Sequence, residues 1–238
     1  MPFKLTVSMK ALITCTVISL TLAFAPATQA ADRTWTGAAN NDWFNNANWL
    51  PSGYPQTGHS VDITNGSVLL TSDTAVLTSL SIANATLIFS NWTTRLLATN
   101  VTMQNGGKFT LPAAFTTSQM SNRVWVVCTN LTMEAGGSMD VDGKGYAQQY
   151  GPGLGSGSSG SGYGGKGANG GSGGGGSTYG STNTPTDPGS GSIRVDGGTG
   201  GGAVRIEASG NVTVNGTITA NGVTATYGGG SGGGIYVT

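Results

Sequence analysis

Short stretches in which apolar and polar residues alternate recur along the chain from residue 61 onward. Strict alternation over four to six residues predicts β-strands, and the Asn-Gly and Gly-Gly steps between them predict tight turns. Successive repeats are 19, 21, 30 and 81 residues apart. The first apolar positions are Val61, Leu80, Val101, Leu131 and Val212, and the second are Ile63, Ile82, Met103, Met133 and Val214.

Two all-β architectures fit this repeat. A hairpin-based sandwich would pair each strand with its neighbour through the tight turn, whereas a parallel β-helix would stack one repeat on the next. The recurrence in register favours the β-helix, because equivalent side chains then form two internal columns. The polar residues between the columns would face solvent, namely Ser81, Thr102, Thr132 and Thr213. We therefore predict an all-β parallel β-helix (solenoid) with an N-terminal aromatic cap and a long glycine-rich insertion.

Composition divides the chain into five segments. Residues 1–30 have the character of a signal peptide, and 31–60 form the N-terminal cap segment. The β-helix rungs occupy 61–142, a glycine-rich low-complexity insertion occupies 143–202, and rungs return in 203–238. The last rung looks incomplete, so we expect a fragment of a longer protein. The glycine content of the insertion favours a flexible loop, while its spaced tyrosines favour an ordered glycine-packed layer, and both alternatives stay open.

The N-terminus predicts export. Lys4 and Lys10 are the only charges before Asp32, and an apolar run over residues 11–25 precedes a tail of small residues that ends at Ala30. This order is typical of a secretory signal cleaved after Ala30. The apolar run is shorter than the roughly 20 residues of a membrane-spanning helix. We expect a secreted or bacterial cell-surface protein with no integral membrane span once the signal is removed.

Charge and cysteine content narrow the class further. Charged residues make up 8% of the chain and glycine supplies 42 residues, whereas soluble domains average about 25% charged residues and about 7% glycine. Removing Lys4 and Lys10 from the ten basic residues leaves eight, against ten acidic residues. This balance argues against nucleic acid or an anionic membrane as partner. Cys128 is the one cysteine left after export, so an intramolecular disulfide is excluded.

Asp140 and Asp142 are the best candidates for metal chemistry. Two positions apart on a strand, they would share one face, and paired carboxylates can bind a hard cation. The run from Asp140 to Gly143 resembles a calcium loop, but the further acidic ligands of such a loop are missing. A solvated strand face is therefore the favoured interpretation, calcium is the alternative, and no other cofactor is expected.

Trp35, Trp43 and Trp49 are candidate ligand-binding residues. Exposed aromatic rings can stack on sugars, so a glycan-binding face is one hypothesis for this cluster. The other, which we favour, is that the rings cap the open end of the stacked strands. His59 is the single histidine and the only possible base for a Ser-His-Asp arrangement. Its place in a turn beside Ser60 and Asp62 favours an ordinary loop residue.

Several glycine-rich stretches resemble those of large secreted bacterial surface proteins of the adhesin and autotransporter-like β-helix type. The stretches that carry the resemblance are Met139 to Tyr146, Gly162 to Gly167, Gly201 to Glu207 and Val212 to Gly222. The opening motif with Trp35-Thr36-Gly37, Trp43 and Asn48-Trp49 is similar to the entry motif of such proteins. The resemblance implies an exported, repetitive architecture and brings no catalytic residues with it.

These observations favour a non-enzymatic, structural or adhesive protein outside the cell. Its expected partners are extracellular glycans or other cell-surface proteins. The first alternative is a carbohydrate-binding module that uses the N-terminal tryptophans. The second is an accessory part of a larger polysaccharide-active β-helix protein. An enzyme is disfavoured because lysine and arginine are scattered along the sequence rather than clustered.

Overall fold

A computed structural model describes residues 32–238, which form fourteen β-strands and one 3-10 turn at Asn46–Asn48. No α-helix occurs in this range, so the predicted all-β class is confirmed. The predicted signal peptide, residues 1–30, lies outside the described residues. The strands are β1 (Arg33–Trp35), β2 (Trp49–Leu50), β3 (Ser60–Ile63), β4 (Ser67–Leu70), β5 (Leu77–Ile82), β6 (Thr86–Phe89), β7 (Leu96–Met103), β8 (Lys108–Thr110), β9 (Val124–Met133), β10 (Ser138–Asp140), β11 (Val204–Ala208), β12 (Val212–Val214), β13 (Thr217–Thr219) and β14 (Ile235–Val237).

The strands belong to two sheets. The nine-stranded sheet has the order β14-β11-β9-β7-β5-β3-β1-β2, with β12 also pairing to β9, and the five-stranded sheet has the order β13-β10-β8-β6-β4. Only the pair β1–β2 is antiparallel, and the other pairs are parallel. From β3 to β11, successive strands alternate between the two sheets. Each sheet therefore collects one strand from each successive repeat.

The two columns predicted from the sequence lie in register in the nine-stranded sheet. Successive pairs join Val61, Leu80, Val101, Leu131 and Val212 in one column, and Ile63, Ile82, Met103, Met133 and Val214 in the other. All members up to Leu131 and Met133 are buried, which removes their apolar surface from water. Val214 is 43% exposed because it lies at the end of its column. The intervening Ser81, Thr102, Thr132 and Thr213 are partly or fully exposed, as predicted.

The five-stranded sheet supplies the facing side of the same core. Its central column runs through Val68, Leu87, Phe109, Met139 and Ile218. Phe89 and Phe109 pack edge to face with their ring centres 5.5 Å apart. The buried members of this column and those of the nine-stranded sheet form one hydrophobic cluster, with Ile218 packed against it. The two sheets therefore share a single apolar interior.

The glycine-rich segment 143–202 contains none of the fourteen strands but has a defined backbone pattern. Gly162 donates its N–H to the carbonyl oxygen of Gly153 at 2.9 Å. A Cβ added at Gly162 would lie 2.5 Å from the carbonyl oxygens of Gly176 and Ser177. Neighbouring loops approach one another so closely because no side chain stands between them. Of the two alternatives left open by composition, the structure adopts the ordered glycine-packed layer.

Candidate functional site

The three tryptophans proposed from sequence as glycan-stacking residues lie inside the core. Trp35, Trp43 and Trp49 are 1%, 0% and 2% exposed. The centre of the Trp49 ring lies 5.0 Å from that of Trp35 and 4.9 Å from that of Trp43, in edge-to-face contacts. No ring face is available to a sugar, which corrects the glycan-stacking hypothesis for these residues. The rings instead fill the interior where β1 and β2 end the nine-stranded sheet.

Asp140 and Asp142 are held by partners from the protein itself. Asp140 accepts a hydrogen bond from Lys108 Nζ at 2.9 Å, and Asp142 accepts two from Asn221, at 2.6 Å from the backbone N–H and 3.0 Å from Nδ2. Burial, the largest single influence, raises the pKa of Asp140, but the hydrogen bonds from Lys108 and from the backbone of Asp142 and the charges of Lys108 and Lys144 together lower it below its ordinary value. Within residues 32–238 no group of three potential metal ligands assembles. Asp140 thus links β10 to β8 through Lys108, and Asp142 links the segment after β10 to the segment after β13 through Asn221.

His59 lies in a turn, as the sequence suggested. Its Nδ1 accepts a hydrogen bond from the backbone N–H of Gln56 at 3.1 Å. The backbone N–H of the neighbouring Ser60 donates a hydrogen bond to Oδ2 of Asp32 at 2.8 Å. These contacts organise the turn that leads into β3.

A cluster of arginines and tryptophans that was not expected from the sequence lies on the outer face of the nine-stranded sheet. We call it the Arg–Trp surface and define it by Trp92, Arg95, Arg123, Trp125 and Arg205. Trp125 pairs directly with Arg205 across β9 and β11. The pairing of Leu96 with Val126 brings Arg95, just before β7, alongside Trp125. Side chains at alternate positions of a strand share a face, so Arg123 and Trp125 lie on the same side of the sheet.

The arginines surround the indole ring of Trp125. The guanidinium carbon of Arg123 lies 3.9 Å from the ring centre, that of Arg205 lies 4.5 Å from it and that of Arg95 lies 5.5 Å from it. Arg123 also lies 4.5 Å from the ring centre of Trp92. Each of these distances is within the range of a cation–π interaction. Trp125 therefore holds three cationic groups from three separate parts of the chain.

Two of the three arginines have acidic partners. Arg95 forms a forked pair with Asp73, with Nη2 and Nε at 2.6 Å and 3.0 Å from Oδ2, and its backbone N–H donates to Oδ1 at 2.8 Å. Arg205 forms an ion pair with Glu207, two residues along the same strand face. The hydrogen bonds between Arg95 and Asp73 fix the plane of the Arg95 guanidinium beside the indole.

Arg123 differs from the other two. It is 6% exposed, and none of the four ion pairs among residues 32–238 includes it. Burial, and then the nearby charge of Arg205, lowers the pKa of Arg123 to about 10. The Nε atoms of Arg123 and Arg205 and the Nε1 atom of Trp125 are buried without hydrogen-bond partners. Three unpaired donors therefore lie within one small region.

A surface pocket of about 590 Å³ opens beside this cluster. Trp125 forms one wall, and the pair of Asp73 and Arg95 forms another. Hydroxyl groups line most of the rest. The lining residues are Thr71, Ser72, Asp73, Thr93, Thr94, Arg95 and Trp125.

This pocket can hold a polyhydroxylated ligand. The part of the Trp125 indole that lines the pocket offers apolar surface to the carbon–hydrogen groups of such a ligand, and convergent hydroxyl, carboxylate and guanidinium groups exchange hydrogen bonds with its hydroxyls. Because Asp73 and Arg95 orient one another, their free donor and acceptor positions are fixed in direction.

The repeat spacing of the sequence indicates one part of this surface. Val101 and Leu131 occupy equivalent positions 30 residues apart, so Arg95, six residues before Val101, lies opposite Trp125, six residues before Leu131. The expectation that basic residues are scattered is therefore wrong for the folded chain. The position of Arg205 does not follow from this spacing, because the glycine-rich segment interrupts the repeat before it.

A search for membrane-spanning helices finds none among residues 32–238. No curated protein and no solved structure matches the chain. A family model described as the G8 domain matches residues 48–121. That range includes the strands from β2 to β8 with Trp92 and Arg95, and it ends before Arg123, Trp125 and Arg205. Over these residues the chain is similar to a G8 domain.

Proposed function

We propose that this chain is a secreted, non-catalytic protein with a closed parallel β-helix fold, and that it adheres to extracellular glycans through the Arg–Trp surface. The proposal keeps the structural or adhesive role expected from the sequence. It moves the ligand-binding face from the N-terminal tryptophans to Trp125.

The β-helix part of the proposal is supported by the strand order. Strands from β3 to β11 alternate between the two sheets, and each contributes buried side chains to one shared core. A chain that crosses repeatedly between two parallel sheets in a constant direction coils around that core. In such a coil the inner columns stabilise the rod, and the outer faces are free to carry ligand-binding side chains.

The observation that carries the glycan proposal is the pocket beside Trp125. It combines part of the Trp125 indole, a fixed Asp73–Arg95 pair and several hydroxyl-bearing side chains. These groups match the mixed apolar and hydroxylated surface of a sugar. Strands rather than loops position Trp125, which reduces the entropy lost when a ligand binds.

Export is supported by the sequence of residues 1–30 and by the G8 match, since G8 domains are found in extracellular proteins in general. A non-catalytic role is supported by the contacts of the acidic residues at the pocket. The carboxylate of Asp73 is occupied by both the side chain and the backbone of Arg95. An adhesive protein needs many weak contacts along a stiff surface, and a β-helix supplies such a surface.

Affinity electrophoresis through gels that contain immobilised polysaccharides tests this proposal. We expect at least one polysaccharide to retard the wild-type chain and to retard Trp125→Ala much less. Tyr227→Ala is the matched control. Tyr227 is also an exposed aromatic residue, and the guanidinium carbon of Arg194 lies 4.8 Å from its ring centre. Equal retardation of wild type and Trp125→Ala across the whole panel would overturn the proposal.

A further inference from the structure

Arg123 is a buried charged residue that forms no ion pair within residues 32–238. It is 6% exposed and lies between the rings of Trp92 and Trp125. A guanidinium removed from water normally gains carboxylates or carbonyl oxygens in exchange for its lost hydration. Here Nε has no hydrogen-bond partner, and no acidic group within ion-pair distance faces it in residues 32–238.

The nearest acidic groups do not neutralise it. Glu207 is already bound to Arg205, and Asp187 influences the pKa of Arg123 without forming an ion pair with it. Burial raises the pKa of Asp187, and the charge of Arg123 opposes this rise. The positive charges of Arg123 and Arg205 therefore act together at one place on the sheet, and the latter lowers the pKa of the former.

Cation–π contacts stabilise the guanidinium but do not supply hydrogen-bond acceptors. Two indole rings at 3.9 Å and 4.5 Å hold Arg123 in a fixed orientation before any ligand arrives. Such a preoriented, poorly hydrated guanidinium is suited to an oxyanion that presents two oxygen atoms to it and accepts a hydrogen bond at each.

We infer that Arg123, with Arg205 beside it, binds an anionic substituent of the glycan held at Trp125, so that the ligand is an acidic polysaccharide rather than a neutral one. This inference rests on the proposed glycan-binding function. The pocket beside Trp125 receives the hydroxylated part of a sugar unit, and the charged substituent of that unit or its neighbour covers the exposed part of Arg123. A uronic acid carboxylate and a sulfate ester share the required chemistry.

Binding measurements with three polymers test the inference. The probes are oligogalacturonate for the carboxylate, dextran sulfate for the sulfate ester and dextran as the neutral polymer. We expect the wild-type chain to bind at least one of the charged probes about tenfold or more tightly than dextran, because a charge-assisted hydrogen bond contributes about 1.5–3 kcal/mol. Preference for oligogalacturonate assigns the carboxylate, and preference for dextran sulfate assigns the sulfate.

Arg123→Met is the decisive variant. Methionine keeps the unbranched apolar stem between the two rings and removes the charge. We expect it to lose the preference for the charged probe while its melting temperature stays the same or rises, because an unpaired buried charge is removed. Arg194→Met is the matched control, since Arg194 also lies over an aromatic ring but is exposed and paired with Asp196.

If Arg123→Met melts well below the wild type, its loss of binding does not distinguish unfolding from the missing charge. Thermal shifts of the wild-type chain resolve this case, because the charged probe should raise its melting temperature and dextran should not. Unchanged preference in a folded Arg123→Met, or equal binding of charged and neutral polymers by the wild type, overturns the inference. Binding of dextran that depends on Trp125 would leave the glycan-binding function standing while the anion site fails. Absence of binding to any glycan would remove both.

Discussion

Trp125 and Arg205 lie directly opposite one another on adjacent parallel strands, with the guanidinium carbon 4.5 Å from the centre of the indole ring, although the whole glycine-rich segment separates them in sequence. The parallel pairing of β9 with β11 creates this contact. Arg95, just before β7, reaches the same ring from the other side. The candidate site is therefore a product of strand register rather than of any one loop.

The first prediction concerns the interior columns. Met103→Ala should lower the free energy of unfolding by about 2–5 kcal/mol, because it leaves a cavity in a fully buried position. Thr102→Ala, one residue away and pointing outward, should change it by less than about 0.5 kcal/mol. Urea unfolding followed by fluorescence measures both. Similar losses for the two variants would contradict the inward and outward assignment.

The second prediction concerns the glycine-packed layer. Gly162→Ala should destabilise the chain, since its Cβ would lie 2.5 Å from two backbone carbonyl oxygens that cannot move independently. The expected cost is about 1–3 kcal/mol, as for overpacking of a core. Gly164→Ala is the control, because a Cβ there meets nothing within 4 Å. If differential scanning calorimetry gives equal melting temperatures for the two variants, the layer is not packed as described.

The third prediction concerns the ion pair of Lys108 and Asp140. The folded chain lowers the pKa of Asp140 from its ordinary value of 3.8, so the pair stabilises the fold above that pH. Its contribution is lost as the pH falls through the lower value of the folded state. The side chain of Asp140 is 39% exposed, so solvent screening keeps the effect small.

Acid titrations of stability by circular dichroism test this assignment. Lys108→Gln should lose less stability than the wild type between pH 5 and pH 2, a window of about three units set by the ordinary carboxyl pKa. The control Lys166→Gln, from an exposed position in the glycine-rich segment, should follow the wild-type curve. A steeper acid loss in Lys108→Gln than in the wild type would reverse the sign and refute the pairing.

The fourth prediction concerns the reactivity of Cys128. Burial raises the pKa of its thiol to about 11. Very little thiolate is then present near neutral pH, and the thiolate is the reactive form. Iodoacetamide at pH 8 should leave the peptide that contains Cys128 unlabelled in the folded chain and label it fully in urea, as read by mass spectrometry. Rapid labelling without denaturant would place Cys128 at the surface.

The fifth prediction concerns the forked pair of Arg95 and Asp73. Asp73→Asn should cost no more than about 1 kcal/mol of stability, because both side chains are more than a third exposed. It should nevertheless weaken glycan retardation, since Arg95 loses the partner that orients it at the pocket. Asp62→Asn, on an outward position of β3, is the control in both assays. Loss of stability with unchanged retardation would assign the pair to folding alone.

The alternation of apolar residues predicted the all-β class and the register of the strands in the nine-stranded sheet correctly. The five positions of each inner column, from Val61 to Val212 and from Ile63 to Val214, pair as the repeat indicated. This succeeded because burial on one face of a strand imposes a period of two, which is visible in a single sequence. Paired strands of a parallel sheet share the same alternation of inward and outward residues.

The candidate site was not predicted, for a physical reason that Trp125 illustrates. An outward position is free of the packing demands that make inward positions recognisable, so its side chain carries no periodic signal. The contacts of Arg95 and Arg205 with the Trp125 ring arise only when strands distant in sequence are aligned. The N-terminal tryptophans are close in sequence, which suggested a ligand-binding cluster. Their side chains are 2% exposed or less, so Trp35 and Trp49 offer no ring face to a ligand.

The long excursion of the chain between β10 and β11 leaves the ladder between β9 and β11 in place. The spacing of Arg95 and Arg205 on either side of Trp125 is therefore set by the strand ladder and not by the number of residues between the strands. In a chain built in this way, the distance between recognition groups follows the separation of neighbouring strands, about 4.8 Å.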